Sequence, residues 1–281
     1  MGSPPAPPTP PNPAASSSPS SRVTRVLQFI GTRVLPRGWV DLFRQIALFV
    51  GALLLYDLVR GIVDSDNPYK PFGDAMRIID LERTLHVFIE PSIQAWAINK
   101  HWLMDGLDWI YLNGHFVVTL AVLAFIYARR NDSFYFVRNM FMIAMGLALI
   151  GYWLYPTAPP RLMPEWGFTD AISQFVTGGS GSIDFGPSKE FLNFYAAVPS
   201  MHVCFAVMVG GSMSRLTSWR PGKILWALYP LLITFVVVAT ANHYLTDVFL
   251  GAVTAGVSAW LAQSLLARAR PDAWAFARVT A

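Results

Sequence analysis

His243-Tyr244-Leu245-Thr246-Asp247 runs straight into residues 248–266, VFLGAVTAGVSAWLAQSLL, a stretch without a charged side chain. Its apolar residues are continuous rather than alternating. They extend over about the 20 residues that cross a bilayer as a helix. The segment therefore reads as a transmembrane helix and not as a barrel strand. It is entered through a histidine and a carboxylate four residues apart.

Similar blocks occupy residues 45–63, 107–127, 137–155, 199–216 and 224–241. With residues 246–266 they make six spans. The 281-residue chain is 54% hydrophobic and 14% charged, against roughly a quarter charged in ordinary soluble domains. A bilayer admits only helices or closed barrels. The expected fold is therefore all-α: a polytopic membrane protein, six transmembrane helices in a bundle with interfacial amphipathic helices. Residues 72–90 supply one of these, with Ala75, Met76, Ile79, Leu85 and Ile89 near helical spacing and Asp74, Arg77, Asp80 and Arg83 between. A shorter one follows Pro91, with Trp96 and Trp102 as interfacial anchors. Asp57 and Arg60 are spaced to pair across one turn of the first span.

Three regions follow. Residues 1–44 are a cytoplasmic segment, Pro/Ser-rich and disordered over 1–21, then basic. Residues 45–267 are the membrane domain, and 268–281 a short cytoplasmic tail. A long outer loop covers about 156–195. Its Gly178-Gly179-Ser180-Gly181 lacks the Gly-Lys-Ser/Thr ending of a phosphate loop and reads as a hinge. The lone cysteine, Cys204, excludes an intrachain disulfide and reads as a buried packing thiol.

The net charge of +4 is too small and dispersed for nucleic-acid binding. Its distribution sets topology. The amino-terminal segment, the 128–138 and 215–223 loops and the tail hold 14 of the 21 lysines and arginines, with only Asp41, Asp132 and Asp272 as acids. Positive residues stay inside. The expectation is a multi-pass cell-membrane protein with both termini cytoplasmic. Arg161, His202, His243 and Asp247 then meet at the extracytoplasmic face.

Those residues carry the chemistry. A carboxylate at Asp247 can fix the tautomer of His243 and raise its basicity, although the pair also suits a structural helix end. His202 falls in the first turn of a helix that Pro199 and Ser200 would open, Pro199 at the first helical position. The free amides and dipole there favour an anion such as phosphate, and a protonated His202 could serve a leaving oxygen. Arg161, between Pro159-Pro160 and Pro164, offers a rigid guanidinium for phosphate or a lipid headgroup. His115, with Tyr111 and Asn113, lies about two turns into the second span, as a buried structural hydrogen-bonding residue or a substrate contact. No metal-ligand spacing accompanies His202 and His243, so no metal or cofactor is expected. The alternative is a non-catalytic transporter or scaffold; a transporter would place its polar groups near the midplane on broken helices.

These motifs together resemble the type 2 phosphatidic acid phosphatase superfamily, and within it the inositol-phosphoceramide synthase (aureobasidin-resistance) branch. Pro199-Ser200-Met201-His202 is similar to the second motif, with Met201 where glycine is usual. His243 and Asp247 match the His-x-x-x-Asp of the third, and His243-Tyr244-Leu245-Thr246-Asp247 matches the branch's His-Tyr-x-x-Asp. Arg161 loosely matches the first motif, whose lysine has no counterpart at Leu154. Val236 and Val237 stand where a Ser-Arg pair is usual. The resemblance covers about residues 45–267. It implies a metal-independent lipid phosphatase or phosphotransferase, with a phosphohistidine at His243, Asp247 orienting it and His202 as acid and base. Arg161, Ser200 and the amides near His202 would hold the phosphoryl oxygens, with Met201, Tyr244 and His115 as further substrate neighbours. The implied partner is a phospholipid, sphingolipid or isoprenoid phosphate.

Overall fold

The computed structural model describes residues 23–24, 35–63, 69–177 and 197–277. The side chains of Asp57 and Arg60 and the expected Gly178–Gly181 hinge lie outside what it describes. The chain divides into compact units at residues 1–46 and 47–281, and the second holds everything of functional interest.

Among the described residues the fold is all helix. We number the helices α1 (Gly38–Val63), α2 (Lys70–Thr84), α3 (Glu90–Ile98), α4 (His101–Arg129), α5 (Asn131–Leu154), α6 (Ala171–Thr177), α7 (Met201–Leu216), α8 (Arg220–Ala239), α9 (Leu245–Ala269) and α10 (Pro271–Trp274). Proline opens α2, α3, α8 and α10, where its missing N–H costs no hydrogen bond. A π-helical turn at Ile110–Gly114 interrupts α4. The long apolar blocks became helices as expected. Five are long and apolar enough to cross a membrane: α1 over Gly38–Leu55, α4, α5, α8 and α9.

The sixth expected span, α7, has only 16 residues, about 24 Å at 1.5 Å per residue. It is short because Val198–Ser200 is not helical but folds inward as an irregular segment. α7 is nonetheless central, packed between α8, α9, α5 and α4. Large apolar side chains on the outward faces, such as Leu225 and Leu231 on α8 and Phe249 and Trp260 on α9, are exposed, as a lipid-facing surface requires.

The expected interfacial helix differs from its sequence reading. α2 stops at Thr84, and His86 turns the chain with a left-handed φ of 58°. Leu85 and Ile89 thus fall beyond the helix and are exposed. Ala75, Ile78 and Ile79 do bury, but so do Asp74 and Glu82. α2 is a structural wall at the end of the bundle that carries the α8–α9 turn. It packs against Ala158, Met163, Phe168, Val198, Ala241 and Tyr244. Backbone bonds from Ala158 to Pro71 and from Arg161 to Ala241 (3.0 and 2.8 Å) lace the loop after α5 into this layer.

Two glycines allow the irregular segment to fit. A Cβ on Gly251 of α9 would land on the Ser200 carbonyl oxygen, and one on Gly151 of α5 would come within 2.8 Å of Pro199 Cδ. Tyr152 adds a hydrogen bond to the Pro199 carbonyl at 3.1 Å. Helix backbones can approach this closely only where no side chain intervenes. Gly251→Ala is expected to lower unfolding stability in detergent by about 1–3 kcal/mol, the usual cost of overpacking, measurable by thermal melting. An Ala variant as stable as the parent would mean that α9 does not pack against Ser200 this closely.

Candidate active site

Two helix starts converge at the end of the bundle walled by α2. At the first, Ser200 takes an extended conformation and caps α7, its hydroxyl accepting from the Val203 amide at 3.4 Å. Pro199 therefore lies outside the helix, not at its first position as the sequence suggested. Met201 and His202 are the first two helical residues, and their amides have no acceptor within the helix. The His202 ring stacks on Tyr111, with centroids 4.3 Å apart and planes at 20°. Tyr111 belongs to the π-helical turn of α4, and such turns often mark functional sites.

The second start is the turn from α8 into α9. Ala241 adopts a left-handed φ of 53°, and its carbonyl accepts the Arg161 amide. Asn242 then accepts from Arg161 Nε at 3.0 Å, while its own amide group donates to Thr240 Oγ1 at 2.7 Å. Arg161 Nη1 reaches Asp170 at 3.4 Å. The guanidinium that the prolines were expected to present is thus held beside His243 by the turn itself.

His243 lies one residue outside the α9 cap and is buried. The sequence spacing allowed a direct His243–Asp247 hydrogen bond. The structure shows a looser contact, Nδ1 to Oδ2 at 3.5 Å, because that carboxylate oxygen accepts the Tyr244 amide at 2.9 Å. His243 Nδ1 and Asp247 Oδ1 make no hydrogen bond. The His202 and His243 rings lie 5.8 Å apart between centroids. His115 sits behind His202 at 5.4 Å, buried, its Nδ1 paired with the Tyr229 hydroxyl at 2.8 Å. Burial pushes the His243 imidazole down to about 4; the Arg161 charge adds to this, and the Ala197 carbonyl opposes it. The ring is therefore neutral at neutral pH, with a lone pair available.

The structure thus gathers Arg161, Ser200, Met201, His202, His243 and Asp247 around one point, with His115 one layer behind. Two expected substrate neighbours are spent otherwise. The Ser200 hydroxyl is fully buried and used as a helix cap. Tyr244 has no exposed surface and packs against Phe168 in the core beneath α2. Sequence reasoning missed Asn242, Asp170 and Tyr229, and two glutamates discussed below. Only Asn242 left a signal, its place immediately before His243. Among the described residues no three His, Cys, Asp or Glu side chains gather as a metal cluster.

A family model described as the PAP2 superfamily matches residues 76–261, about two thirds of the chain and all of this site. Comparison with curated proteins found no match, and neither did comparison with solved structures.

The His243 environment has a titration consequence. Its folded value lies below the ordinary 6.5, so the unfolded chain binds more protons between about 6.5 and 4. This contribution to stability is present above pH 6.5 and is lost as pH falls through about 4. In ¹⁵N-histidine NMR spectra, the His243 resonance is expected not to titrate between pH 8 and 5.5. Arg161→Gln should move its titration upward by removing a neighbouring positive charge. A normal titration near 6.5 in the parent would contradict the buried, neutral imidazole.

Proposed function

The chain belongs to the PAP2 superfamily, and from that premise we propose that it is a lipid phosphotransferase or phosphatase acting through a phosphohistidine at His243. Membership makes it a membrane protein of the phosphatase or phosphotransferase kind, with lipid phosphates as its class of substrate. The finer reading rests chiefly on one observation: two histidine rings 5.8 Å apart, each at a helix start, beside a guanidinium anchored in the same turn.

In the proposed reaction a phosphate monoester or diester binds with its oxygens toward Arg161 and the Met201 and His202 amides. Asp247 accepts a hydrogen bond from Nδ1–H of His243, closing the 3.5 Å contact and stabilising the positive charge the ring gains on attack; such contacts are often long without substrate and tighten with it. Nε2 of His243 then attacks phosphorus. The N–P bond forms, the P–O bond to the alcohol breaks, and His202 gives its proton to the departing oxygen. Water or an acceptor alcohol next attacks phosphorus, giving its proton to His202 while the P–N bond breaks. Neither step calls for a metal ion. Charge on the phosphoryl oxygens is stabilised by fixed donors rather than by water.

We assign the site to the extracytoplasmic face, with both termini cytoplasmic and α7 as the sixth span, from the bias of Lys and Arg toward the opposite side. The substrates we favour are phospholipids, sphingolipids or isoprenoid phosphates entering sideways from the outer leaflet. The His243-Tyr244-x-x-Asp247 pattern favours headgroup transfer of the inositolphosphotransferase kind over simple hydrolysis.

The test is phosphate release against headgroup transfer by purified protein in detergent, on phospholipids and isoprenoid phosphates with and without inositol. His243→Ala should fold, insert and lose at least ~10³-fold in turnover, as removal of a nucleophile does. His202→Ala should lose roughly 10²–10⁴-fold on natural lipids, the usual worth of general acid catalysis, and far less on an ester whose leaving group needs no proton. Chelators should leave turnover unchanged. Wild-type turnover by His243→Ala would eliminate the phosphohistidine, and equal losses on both substrate types would remove His202 as the acid.

A further inference from the structure

The first turn of α9 is held by three carboxylates. Asp247, its own, accepts the Tyr244 amide. The other two come from more than 150 positions away in sequence: Glu90 Oε1 accepts the Leu245 amide at 2.9 Å, and Glu82 Oε1 accepts the Thr246 amide at 2.6 Å. Glu82 ends the buried face of α2, and Glu90 begins α3. Both side chains are wholly buried. Neither forms an ion pair among the described residues, and the second oxygen of each makes no hydrogen bond.

Helix amides attract carboxylates, but two adjacent buried carboxylates without a cation cannot both be ionised at small cost. One proton bridging their second oxygens would satisfy both atoms left unpartnered. We propose that Glu82 and Glu90 are positioning residues that share one proton and clamp the first turn of α9, thereby setting His243 and Asp247 against His202. The inference rests on the reading of His243 as nucleophile. Its geometric basis is direct, since Leu245 and Thr246 lie between His243 and Asp247 and each donates its amide to one member of the pair.

The electrostatics of the surroundings agree. Glu82 is raised to about 8, first by burial, then by the Glu90 carboxyl beside it, which favours a proton held between the two and whose charge repels; the Thr246 donors oppose this. From α9, the groups facing the pair are Asp247, whose charge couples to Glu90, and the Tyr244 phenol, which faces both glutamates and Glu165. On α2, Asp74 is paired with Arg77, and Arg83 turns outward over the Trp166 ring. Among the described residues these surroundings thus add negative charge and no cation that ion-pairs with either glutamate. Loss of the shared proton would set two like charges at the clamp.

The test uses the full chain in detergent, with an aryl phosphate ester whose leaving group needs no proton, so that His202 as acid does not shape the alkaline limb. In the parent, kcat should fall with a midpoint near pH 8. Glu82→Gln keeps a carbonyl for the Thr246 amide and supplies a permanent N–H toward Glu90. It should retain kcat within about threefold at pH 7 and lose the alkaline limb. Glu82→Ala should lower kcat ~10-fold or more with little change in KM, since it removes positioning rather than substrate contact. An unchanged alkaline limb in Glu82→Gln, or an unchanged kcat in Glu82→Ala, would overturn the proposal. Thermal melting separates this from the functional reading. Because Glu82 is raised in the fold, the folded chain binds more protons than the unfolded one between about 4.5 and 8. Its stabilising contribution is full below about 4.5 and declines as pH rises to about 8. Glu82→Gln should abolish that decline, whether or not any ester is turned over. A decline of equal size in Glu82→Gln would overturn the shared proton even in an active enzyme.

Discussion

The structure depends on one backbone contact: the start of α7 lies flush against the first turn of α9. The Ser200 amide donates to the Asp247 carbonyl at 3.1 Å, and the Ser200 carbonyl faces Gly251, where no side chain stands in the way. Val198–Ser200 is irregular backbone close to a bilayer, where unpaired amides and carbonyls are costly. Its polar groups are taken up by protein instead, by Asp247 on one side and Tyr152 on the other. This arrangement places His202 and His243 on facing helix starts, because His202 lies two residues after Ser200 and His243 four residues before Asp247.

The two helix starts are then used differently. The first turn of α9 is filled by the protein's own carboxylates, Asp247, Glu90 and Glu82. An anion has no place there. The first amides of α7 have no helical acceptor, and a guanidinium is fixed nearby through Asn242 and Asp170. The positive end of α7 and Arg161 therefore share one small region, while negative charge is gathered one layer behind it. A phosphoryl group is the kind of ligand that such a division suits.

Rigidity follows from the same contacts. The π-helical turn of α4 brings Tyr111 onto the His202 ring, and His115 behind it is tied to Tyr229 on α8. The wall formed by α2 and the loop after α5 closes over the α8–α9 turn through the core around Ala75, Met163 and Tyr244. His202 and the turn that carries His243 are thus held by residues from α2, α4, α8 and the loop after α5. Such support holds a reacting group within the narrow range of positions that catalysis needs.

Much of this was legible in the chain alone. Charge-free runs and their length determine that the protein is a bundle of membrane-crossing helices, because hydrophobic periodicity is a local property that neighbouring residues share. The spacing of His243 and Asp247, the cap at Ser200 and the proline-bound Arg161 marked most of the residues that the structure gathers, since each pattern lies within a few positions. The short reach of α7, the end of α2 at Thr84, the burial of Tyr244 and the loose His243–Asp247 contact were not legible. Nor were the partnerships of Glu82 and Glu90 with α9 or of Arg161 with Asn242. Each depends on groups distant in sequence competing for one amide or one patch of core. Only the assembled fold settles that competition, because it alone decides which donor and acceptor are left within reach of each other.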